Sequence, residues 1–197
     1  MTDWNAFAEL ARAAVAASMT PATAAWLELW PKTAAPRAVV PTSLPVLRWL
    51  PDAAAAAPAG PLAALAGRLK VLAGACAWRQ SYQPEQVAAG FLERYGWCEL
   101  IGLTGPLPSE RLACGFLLLG PATLYPSHRH AAIELYLPLS GAADWQLGES
   151  PFARQAPGTV IVHRCEVAHA MRTGEAPLLA LYLWRGAGLA QPARLGS

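Results

Sequence analysis

The spacing of apolar residues changes near residue 95, and this change limits the folds available to the chain. Residues 3–18 carry apolar side chains at helical spacing, whereas the apolar segments after residue 96 are short and separated by Gly and Pro. Short strands with frequent turns are typical of an antiparallel sandwich or barrel. We therefore predict an α+β fold in which a helical cap, residues 1–95, packs on a β-barrel of residues 96–197. The two parts are expected to form one compact unit.

The individual elements are predicted from the same change of period. Helices are expected at residues 3–18, from Pro21 through Trp30, at 62–78 and at 84–95. Seven prolines break residues 31–61, which predicts a loop with a short helix or two. The predicted strands are residues 98–103, 112–119, 133–139, 143–147, 159–162, 169–172 and 178–184.

Composition and charge exclude several classes of protein. Of the 197 residues, 54% are hydrophobic and 14% are charged, which indicates a globular chain able to bury a core. The net charge of +2 produces no field that attracts nucleic acid or an anionic membrane, so a small zwitterionic or neutral substrate is favoured. Neither a membrane-spanning run nor a signal peptide with a basic start is expected.

The cysteines bear on the cellular compartment. Cys76, Cys98, Cys114 and Cys165 form no CxxC pair, so neither a zinc ribbon nor a redox motif is indicated. We expect them to be reduced thiols of a cytoplasmic protein. Cys165 lies close to His169 in the sequence and is a weak candidate for a metal ligand.

The segment from Tyr125 to Tyr136 holds the densest chemistry of the chain. His128 and His130 are two residues apart, Glu134 follows, and Tyr136 lies two residues beyond Glu134. Because side chains two apart on a strand share a face, both members of each pair can point inward. If the two strands pair as a hairpin, both inward pairs would meet at one point.

A further histidine extends this pattern. His169 follows the turn at Pro157-Gly158 and is expected on a neighbouring strand. Two imidazoles, a carboxylate and a distant third imidazole indicate a first-row transition-metal site with open positions for a substrate. On spacing alone, Tyr136 is either catalytic or packed in the core. His163 is a ligand, a partner that orients a ligand, or a loop residue.

The histidine motif resembles that of the cupins. HxH followed by three residues and Glu134 is similar to their first motif, with Gly141 near its end, and the Pro157-Gly158 turn with His169 resembles their second. The resemblance implies a cupin β-barrel of antiparallel, jelly-roll-like strands. The chain departs from the common pattern in two ways: seven residues separate Gly120 from the HxH pair where five are usual, and the Asn that closes the second motif is absent.

Three further features resemble the bacterial cupin-type dimethylsulfoniopropionate (DMSP) lyases. They are Tyr136, the sequence His-Ala-Met-Arg at residues 169–172, and Trp-Arg-Gln-Ser-Tyr at residues 78–82. The resemblance covers residues 75–185 well and the first 60 poorly. It implies one divalent transition metal per chain and a catalytic base at Tyr136. The implied metal ligands are His128, His130, Glu134 and His169, and the implied substrate-binding residues are Tyr125, Trp184 and Tyr82.

The implied reaction is a β-elimination that gives acrylate and dimethyl sulfide. A base must remove a proton next to the substrate carboxylate, and a divalent metal acting as Lewis acid offsets the developing charge. A tyrosine, with an ordinary pKa of about 10, needs a nearby cation to serve as that base. Aromatic faces can hold the sulfonium cation. Tyr125 and Trp184 are the candidates, whereas Trp145 is expected in the core.

Two other functions remain compatible with the sequence. An iron-dependent dioxygenase can use a His and carboxylate site, although it has no need of a base at Tyr136. A non-enzymatic cupin could bind a small ligand, although no DNA-binding helix pair or basic patch supports a sensor. The sequence leaves the metal open among zinc, iron, manganese, cobalt and nickel, and leaves the oligomeric state open, a homodimer included.

Overall fold

The computed structural model describes residues 2–21, 23–32 and 34–196. Its helices are α1 (Trp4–Ser18), α2 (Leu50–Ala55) and α3 (Pro61–Leu72). Segments of 3-10 helix, three to six residues long, lie at Ala24–Leu29, Pro45–Trp49, Ala73–Ala75, Pro84–Gln86 and Leu92–Arg94. None of the helices in these ranges is long and apolar enough to cross a membrane.

Helix α1 shows how the apolar spacing produces the helical half. It begins after Asp3, whose carboxylate accepts a hydrogen bond from the amide of Ala6 at 2.9 Å and so caps the first turn. Its buried face includes Trp4, Phe7 and Ala11, the positions that the helical spacing selects. The predicted helix over residues 3–18 is therefore confirmed.

Two predicted helices are wrong in whole or in part. Residues 84–95 form only two 3-10 turns, because Gly90 between them has a φ of 78° and Tyr95 already begins the first strand. The helix expected over 62–78 ends at Leu72, and after one more turn the backbone becomes extended at Cys76. Local propensity favours helix in both places, but the tertiary contacts of the folded chain outweigh that preference.

The strands occupy the rest of the chain. They are β1 (Tyr95–Gly102), β2 (Leu107–Pro108), β3 (Leu112–Leu119), β4 (Leu124–Arg129), β5 (Ile133–Ser140), β6 (Ala143–Leu147), β7 (Ala153–Gln155), β8 (Ile161–His163), β9 (His169–Thr173), β10 (Leu178–Arg185) and β11 (Arg194–Leu195). In the described ranges they form a six-stranded sheet, ordered β2-β1-β3-β10-β5-β8, and a five-stranded sheet, ordered β11-β4-β9-β6-β7. Apart from the short parallel pair β1–β2, neighbouring strands are antiparallel, and the predicted α+β, jelly-roll-like fold is confirmed.

The hairpin considered for the histidine motif does not form. Strand β4 pairs with β9 and β11, whereas β5 pairs with β10 and β8. The residues between them, 130–132, therefore carry the chain from one sheet to the other. His169 does lie on the strand next to β4, directly opposite His128. The motif thus joins the two sheets.

The helices pack on the six-stranded sheet. Phe7 of α1 stacks on Phe116 of β3, with ring centroids 5.3 Å apart and planes within 6° of parallel. One apolar cluster contains the buried faces of α1 and α3 together with inward residues of β1, β3, β5 and β10. Burial of each large side chain there stabilises the fold by about 1.5–3 kcal/mol. The opposite face of the same sheet is left for a second aromatic cluster, which contains the candidate site.

Candidate metal centre and substrate pocket

Three neighbouring strands of the six-stranded sheet each contribute one side chain to a row that runs across the sheet. In the pairing of β8, β5 and β10, His163 lies opposite Glu134, and Glu134 lies opposite Trp184. Residues paired directly across strands share a face, so these three side chains project together. The same pairing places Tyr136 opposite Tyr182 in the next row. The six-stranded sheet therefore supplies a carboxylate with an imidazole on one side and an indole on the other.

Two histidines approach this carboxylate, one from the connection between β4 and β5 and one from β9 of the five-stranded sheet. His130 Nε2 lies 2.9 Å from Glu134 Oε2, and His169 Nε2 lies 3.2 Å from the same oxygen. Among the described residues, these three offer ligand atoms that all lie within 4.8 Å of one another. All three side chains are buried.

Backbone carbonyls orient both imidazoles. His130 Nδ1 lies 2.9 Å from the carbonyl oxygen of Ala132, and His169 Nδ1 lies 3.0 Å from that of Val167. A carbonyl oxygen can only accept, so in each ring Nδ1 is the donor. Each Nε2 therefore faces the carboxylate, as in histidines that bind a metal through Nε2.

His128 stands beside this group rather than inside it. Its Nδ1 donates to the carbonyl of Pro126 at 2.9 Å, and its ring centroid lies 4.1 Å from that of His169. The ring of Tyr125 stacks on its other side, at 4.1 Å and 9°. The structure thus brings together three of the four predicted ligands and places the fourth next to them.

His163 is neither a loop residue nor exposed. It is 1% exposed at the end of β8, its Nδ1 lies 3.4 Å from Glu134 Oε2, and its ring centroid lies 3.9 Å from that of His169. The sequence left its role open, since its position opposite Glu134 depends on a strand pairing that spacing alone does not show. Cys165, the weak ligand candidate, is exposed and does not belong to the ligand group described above.

The buried charges of the centre depend on each other. Burial alone would raise the pKa of Glu134, but the imidazoles of His130, His163 and His169 around it hold that pKa well below its ordinary value. Burial would lower the pKa of His130, but its hydrogen bond to Glu134 and the attraction of that carboxylate raise it overall. The negative charge of Glu134 and a positive charge on His130 therefore favour each other.

The residues of this centre fit a transition metal. Imidazole nitrogens and a carboxylate oxygen suit first-row divalent ions. Burial, followed by the proximity of His169, lowers the pKa of His128 well below its ordinary value, so its imidazole is neutral and keeps a lone pair. His169 Nε2, which faces Glu134, is buried and makes no hydrogen bond in the described part of the chain. Buried, unpaired ring nitrogens beside a carboxylate are the donor atoms that a cation would satisfy. The cluster suits a single metal site.

A cavity of about 550 Å³ opens beside the centre. Glu134, His128 and Tyr136 lie in its wall. Aromatic side chains make up much of the remaining wall, namely Tyr95, Trp97, Tyr125, Tyr182 and Trp184. A mostly apolar cleft with a few convergent polar groups is the usual form of a small-molecule site.

The predicted substrate-binding residues occupy different places. Tyr125 and Trp184 line the cavity, but Tyr82 lies behind Tyr125, with their hydroxyl oxygens 3.0 Å apart. Trp184 also donates its indole N–H to Glu134 Oε1 at 2.6 Å, a contact that the sequence did not indicate. Trp145, expected in the core, is 4% exposed in the same aromatic cluster as Tyr136.

Several residues of the pocket had no distinguishing signal in the sequence. Tyr95 falls in a predicted helix, Trp97 lies outside the predicted strands and Tyr182 falls in a predicted strand. Only their shared place in the cavity wall identifies them. The C-terminal residues 189–193 also line the cavity, since β11 returns the chain to β4 at His128. Neither the spacing nor the histidine motif predicted this return.

The family model described as dimethylsulfoniopropionate lyase matches residues 23–180. The chain is 38% identical over 117 residues to the dimethylsulfoniopropionate lyase DddQ of Ruegeria pomeroyi, which is 59% of this chain and 58% of DddQ. It is 36% identical over 129 residues to the putative dimethylsulfoniopropionate lyase DddL of Cereibacter sphaeroides, which is 64% of this chain and 53% of DddL. The aligned region thus spans little more than half of either curated relative.

Solved structures match over nearly the full length. The crystal structure of DMSP lyase DddQ from Ruegeria pomeroyi has a TM-score of 0.84 at 31% identity, with 98% of this chain and 97% of that chain covered. A chain from the crystal structures of DMSP lyases RdDddP and RnDddQII has a TM-score of 0.86 at 32% identity, with the same coverage of 98% and 97%. With the family match over most of the chain, these likenesses show that the protein belongs to the dimethylsulfoniopropionate lyase family.

Proposed function

We propose that the protein cleaves dimethylsulfoniopropionate to acrylate and dimethyl sulfide, with Tyr136 as the base. The observation that carries this proposal is the position of the Tyr136 phenol, which shares the wall of one aromatic cavity with Glu134 of the metal centre. Membership of the lyase family supports the same substrate. The activity is therefore that of a carbon–sulfur lyase acting on a small zwitterion.

The chemistry requires one base and no acid. The base removes the proton on the carbon next to the carboxylate, the electron pair forms the carbon–carbon double bond, and the carbon–sulfur bond breaks. The sulfonium leaves as neutral dimethyl sulfide, so its departure needs no proton. We assign the proton removal to Tyr136, because it lies two residues beyond Glu134 on β5, on the face of the strand that carries this metal ligand, and it lines the cavity.

We assign the metal ligands to His130, Glu134 and His169, with His128 as the fourth. Their neutral imidazoles and carboxylate would hold one divalent ion. When bound, such an ion supplies positive charge that stabilises the negative charge developing at the substrate carboxylate and favours the phenolate of Tyr136. The donor set accepts zinc, iron, manganese, cobalt or nickel.

The surroundings of Tyr136 suit a base that needs such activation. The side chain is 5% exposed, and burial followed by the negative charge of Glu134 raises the pKa of Tyr136 well above its ordinary value. The hydroxyl is therefore neutral in the metal-free protein. Burial also limits contact of the hydroxyl with water, so a proton taken there is not exchanged freely with bulk solvent.

The aromatic wall suits the other end of the substrate. We propose that Tyr125 and Trp184 contact the sulfonium, with Trp97 and Tyr182 completing the wall. Each cation–π contact is worth about 0.5–2 kcal/mol. Tyr82 would act indirectly, through its hydroxyl contact with Tyr125.

The proposed activity is tested by measuring dimethyl sulfide in the headspace over purified protein and dimethylsulfoniopropionate. We expect release of dimethyl sulfide with equimolar acrylate, at the same rate in air and under nitrogen. An oxygenase would lose turnover under nitrogen. Failure to release dimethyl sulfide from metal-loaded protein would contradict the lyase assignment.

The metal assignment has a test of its own. Elemental analysis of protein purified without chelator should find about one divalent transition metal per chain. His130→Ala and His169→Ala should lose it, because each removes an imidazole whose Nε2 faces Glu134. Unchanged metal content in both variants would refute the ligand set.

We also propose a cytoplasmic location. Cys76, Cys98 and Cys114 are buried free thiols, and Cys165 is an exposed one. Thiols that remain free are typical of reducing compartments.

We also propose that the two parts of the chain predicted from the sequence, residues 1–95 and 96–197, act as one unit. A single apolar cluster contains residues of both parts.

A further inference from the structure

Both oxygens of the Glu134 carboxylate have a neighbour on a flanking strand. Trp184 on β10 donates its indole N–H to Oε1 at 2.6 Å. His163 on β8 places Nδ1 3.4 Å from Oε2. The two neighbours lie directly opposite Glu134 in the strand register, one on each side. The contacts therefore follow from the sheet itself rather than from a mobile loop.

We propose that His163 and Trp184 act as a clamp that positions Glu134 for metal binding. This inference rests on the metal site of the proposed function and adds two positioning residues to it. A carboxylate anchored at both oxygens cannot rotate about its terminal bond without losing a hydrogen bond. Groups that orient a ligand from outside the metal typically change metal affinity about 10–100-fold when removed.

The contacts of His163 support this role. A carboxylate oxygen only accepts, so Nδ1 of His163 carries the proton in this contact. Its Nε2 is then a buried lone pair, and it has no hydrogen-bond partner in the described part of the chain. A buried polar group left unpaired destabilises the fold. The position of the imidazole thus gives Nδ1 its contact with Glu134 and leaves Nε2 without a hydrogen bond.

The contacts of Trp184 give the second half of the clamp. Its ring lies over His130, with centroids 4.2 Å apart, while its N–H reaches Glu134. One side chain therefore holds the carboxylate and supports the ring of a neighbouring ligand. Trp184→Phe removes the N–H that contacts Glu134 but keeps an aromatic ring over His130. The effect of the hydrogen bond can therefore be measured with most of the ring contact retained.

Three substitutions at His163 separate a positioning residue from a metal ligand. His163→Asn places an amide nitrogen near the position of Nδ1, and His163→Gln places one near Nε2. His163→Phe keeps a ring but has no donor. Zinc retention against a competing chelator and the visible spectrum of the cobalt-loaded protein are measured for each variant, for Trp184→Phe and for the unchanged protein. Thermal unfolding of the metal-free forms reports whether each variant folds.

The clamp predicts a specific order of zinc affinity. His163→Asn should bind zinc within about threefold of the unchanged protein, whereas His163→Gln, His163→Phe and Trp184→Phe should bind about 10–100-fold more weakly. The cobalt spectrum of His163→Asn should match that of the unchanged protein, because the ligands are the same.

Two results would overturn the clamp. If His163→Phe and Trp184→Phe retain zinc like the unchanged protein, neither residue positions Glu134. If His163→Asn binds zinc as weakly as His163→Phe and its cobalt spectrum differs from that of the unchanged protein, His163 is itself a ligand through Nε2. Should His163→Phe not fold, the Asn and Gln pair still decides. Zinc binding and dimethyl sulfide release by the unchanged protein report on the proposed function separately.

Discussion

The helical half and the strand half of this protein bury different kinds of side chain. The helices bury tryptophan, phenylalanine, leucine and alanine, as the inward face of α1 shows. In the described ranges, the buried polar and charged residues all come from the strands and their turns: Thr123, His128, His130, Glu134, Ser140, His163, His169 and Thr173. A buried charge needs several fixed partners, and adjacent strands supply them at short range. The helical half thus supplies most of the apolar burial, and the strand half supplies the chemistry.

One segment crosses this division. Residues 79–82 precede the first strand, yet Arg79, Gln80 and Ser81 line the substrate cavity. Gln80 is held in place by hydrogen bonds from its side-chain amide to the carbonyls of Leu92 and Tyr95. The helical half therefore completes the pocket as well as covering the sheet. Removing the helical half should therefore affect both the pocket and the covered face of the sheet.

Deleting the helical half is expected to have the largest effect on the protein. A fragment that starts near Trp97 loses the partners of the six-stranded sheet, including the stack of Phe7 on Phe116, and exposes the apolar face of that sheet. We expect it to be insoluble or to release no dimethyl sulfide, as judged by expression, circular dichroism and headspace analysis. A soluble fragment with full activity would show that the strand half is independent.

A single substitution in the helical half should affect stability without affecting chemistry. Phe7 is fully buried, so Phe7→Ala should lower the free energy of unfolding by about 3–5 kcal/mol. The turnover of the fraction that remains folded should be close to that of the unchanged protein, because Phe7 does not line the cavity. Chemical denaturation and headspace assays measure the two quantities. Comparable losses in both would remove the distinction between the halves.

The converse result is expected in the strand half. Tyr136→Phe keeps the ring, its packing and the metal ligands but removes the hydroxyl. Turnover should fall by about 10²-fold or more, the usual contribution of general acid–base catalysis. The melting temperature and the metal content should change little, since a net hydrogen bond is worth about 1 kcal/mol. Cleavage near that of the unchanged protein, with metal intact, would exclude Tyr136 from the mechanism.

The difference between the halves also explains what the sequence could predict. The alternation of His128, His130, Glu134 and Tyr136 is a local property, and all four are buried as the two-residue spacing predicts. The partners of their strands are a long-range property. The hairpin considered from the sequence does not form, because β4 and β5 enter different sheets. Spacing tells which side chains share a face but not which strand lies beside them.

The same limit applies to the neighbours of Glu134. His163 and Trp184 are 29 and 50 residues away along the chain, and only the order β8-β5-β10 places them on either side of the carboxylate. In the helical half, the wrong helix over residues 84–95 has a related cause. Pro84 and Glu85 are favourable helix-start residues, but Gly90 adopts a positive φ and Tyr95 pairs with β3. Tertiary pairing outweighed local preference.

The smallest expected effect concerns a carboxylate of the strand half that takes no part in the chemistry. Asp144 on β6 accepts hydrogen bonds from Arg172 at 3.0 Å and from Arg154 at 3.4 Å, and both arginine side chains are more than half exposed. Its hydrogen bond with Arg172 is the main cause of a lowered pKa for Asp144, with Arg154 adding to it. A carboxylate with a lowered pKa in the folded state stabilises the fold above its ordinary pKa, and that contribution is lost as the pH falls through the lowered value.

Asp144→Asn should therefore lower the free energy of unfolding at neutral pH by only about 0.2–1 kcal/mol for each exposed pair. The difference from the unchanged protein should shrink at high salt, which screens exposed charges, and should also shrink in acid. Dimethyl sulfide release should be unchanged, because Asp144 lies outside the cavity wall. Thermal unfolding at two salt concentrations, with a headspace assay on the same samples, measures both. A large loss of turnover would mean that the chemistry of the strand half extends beyond the row around Glu134 to the solvent-exposed face of the other sheet.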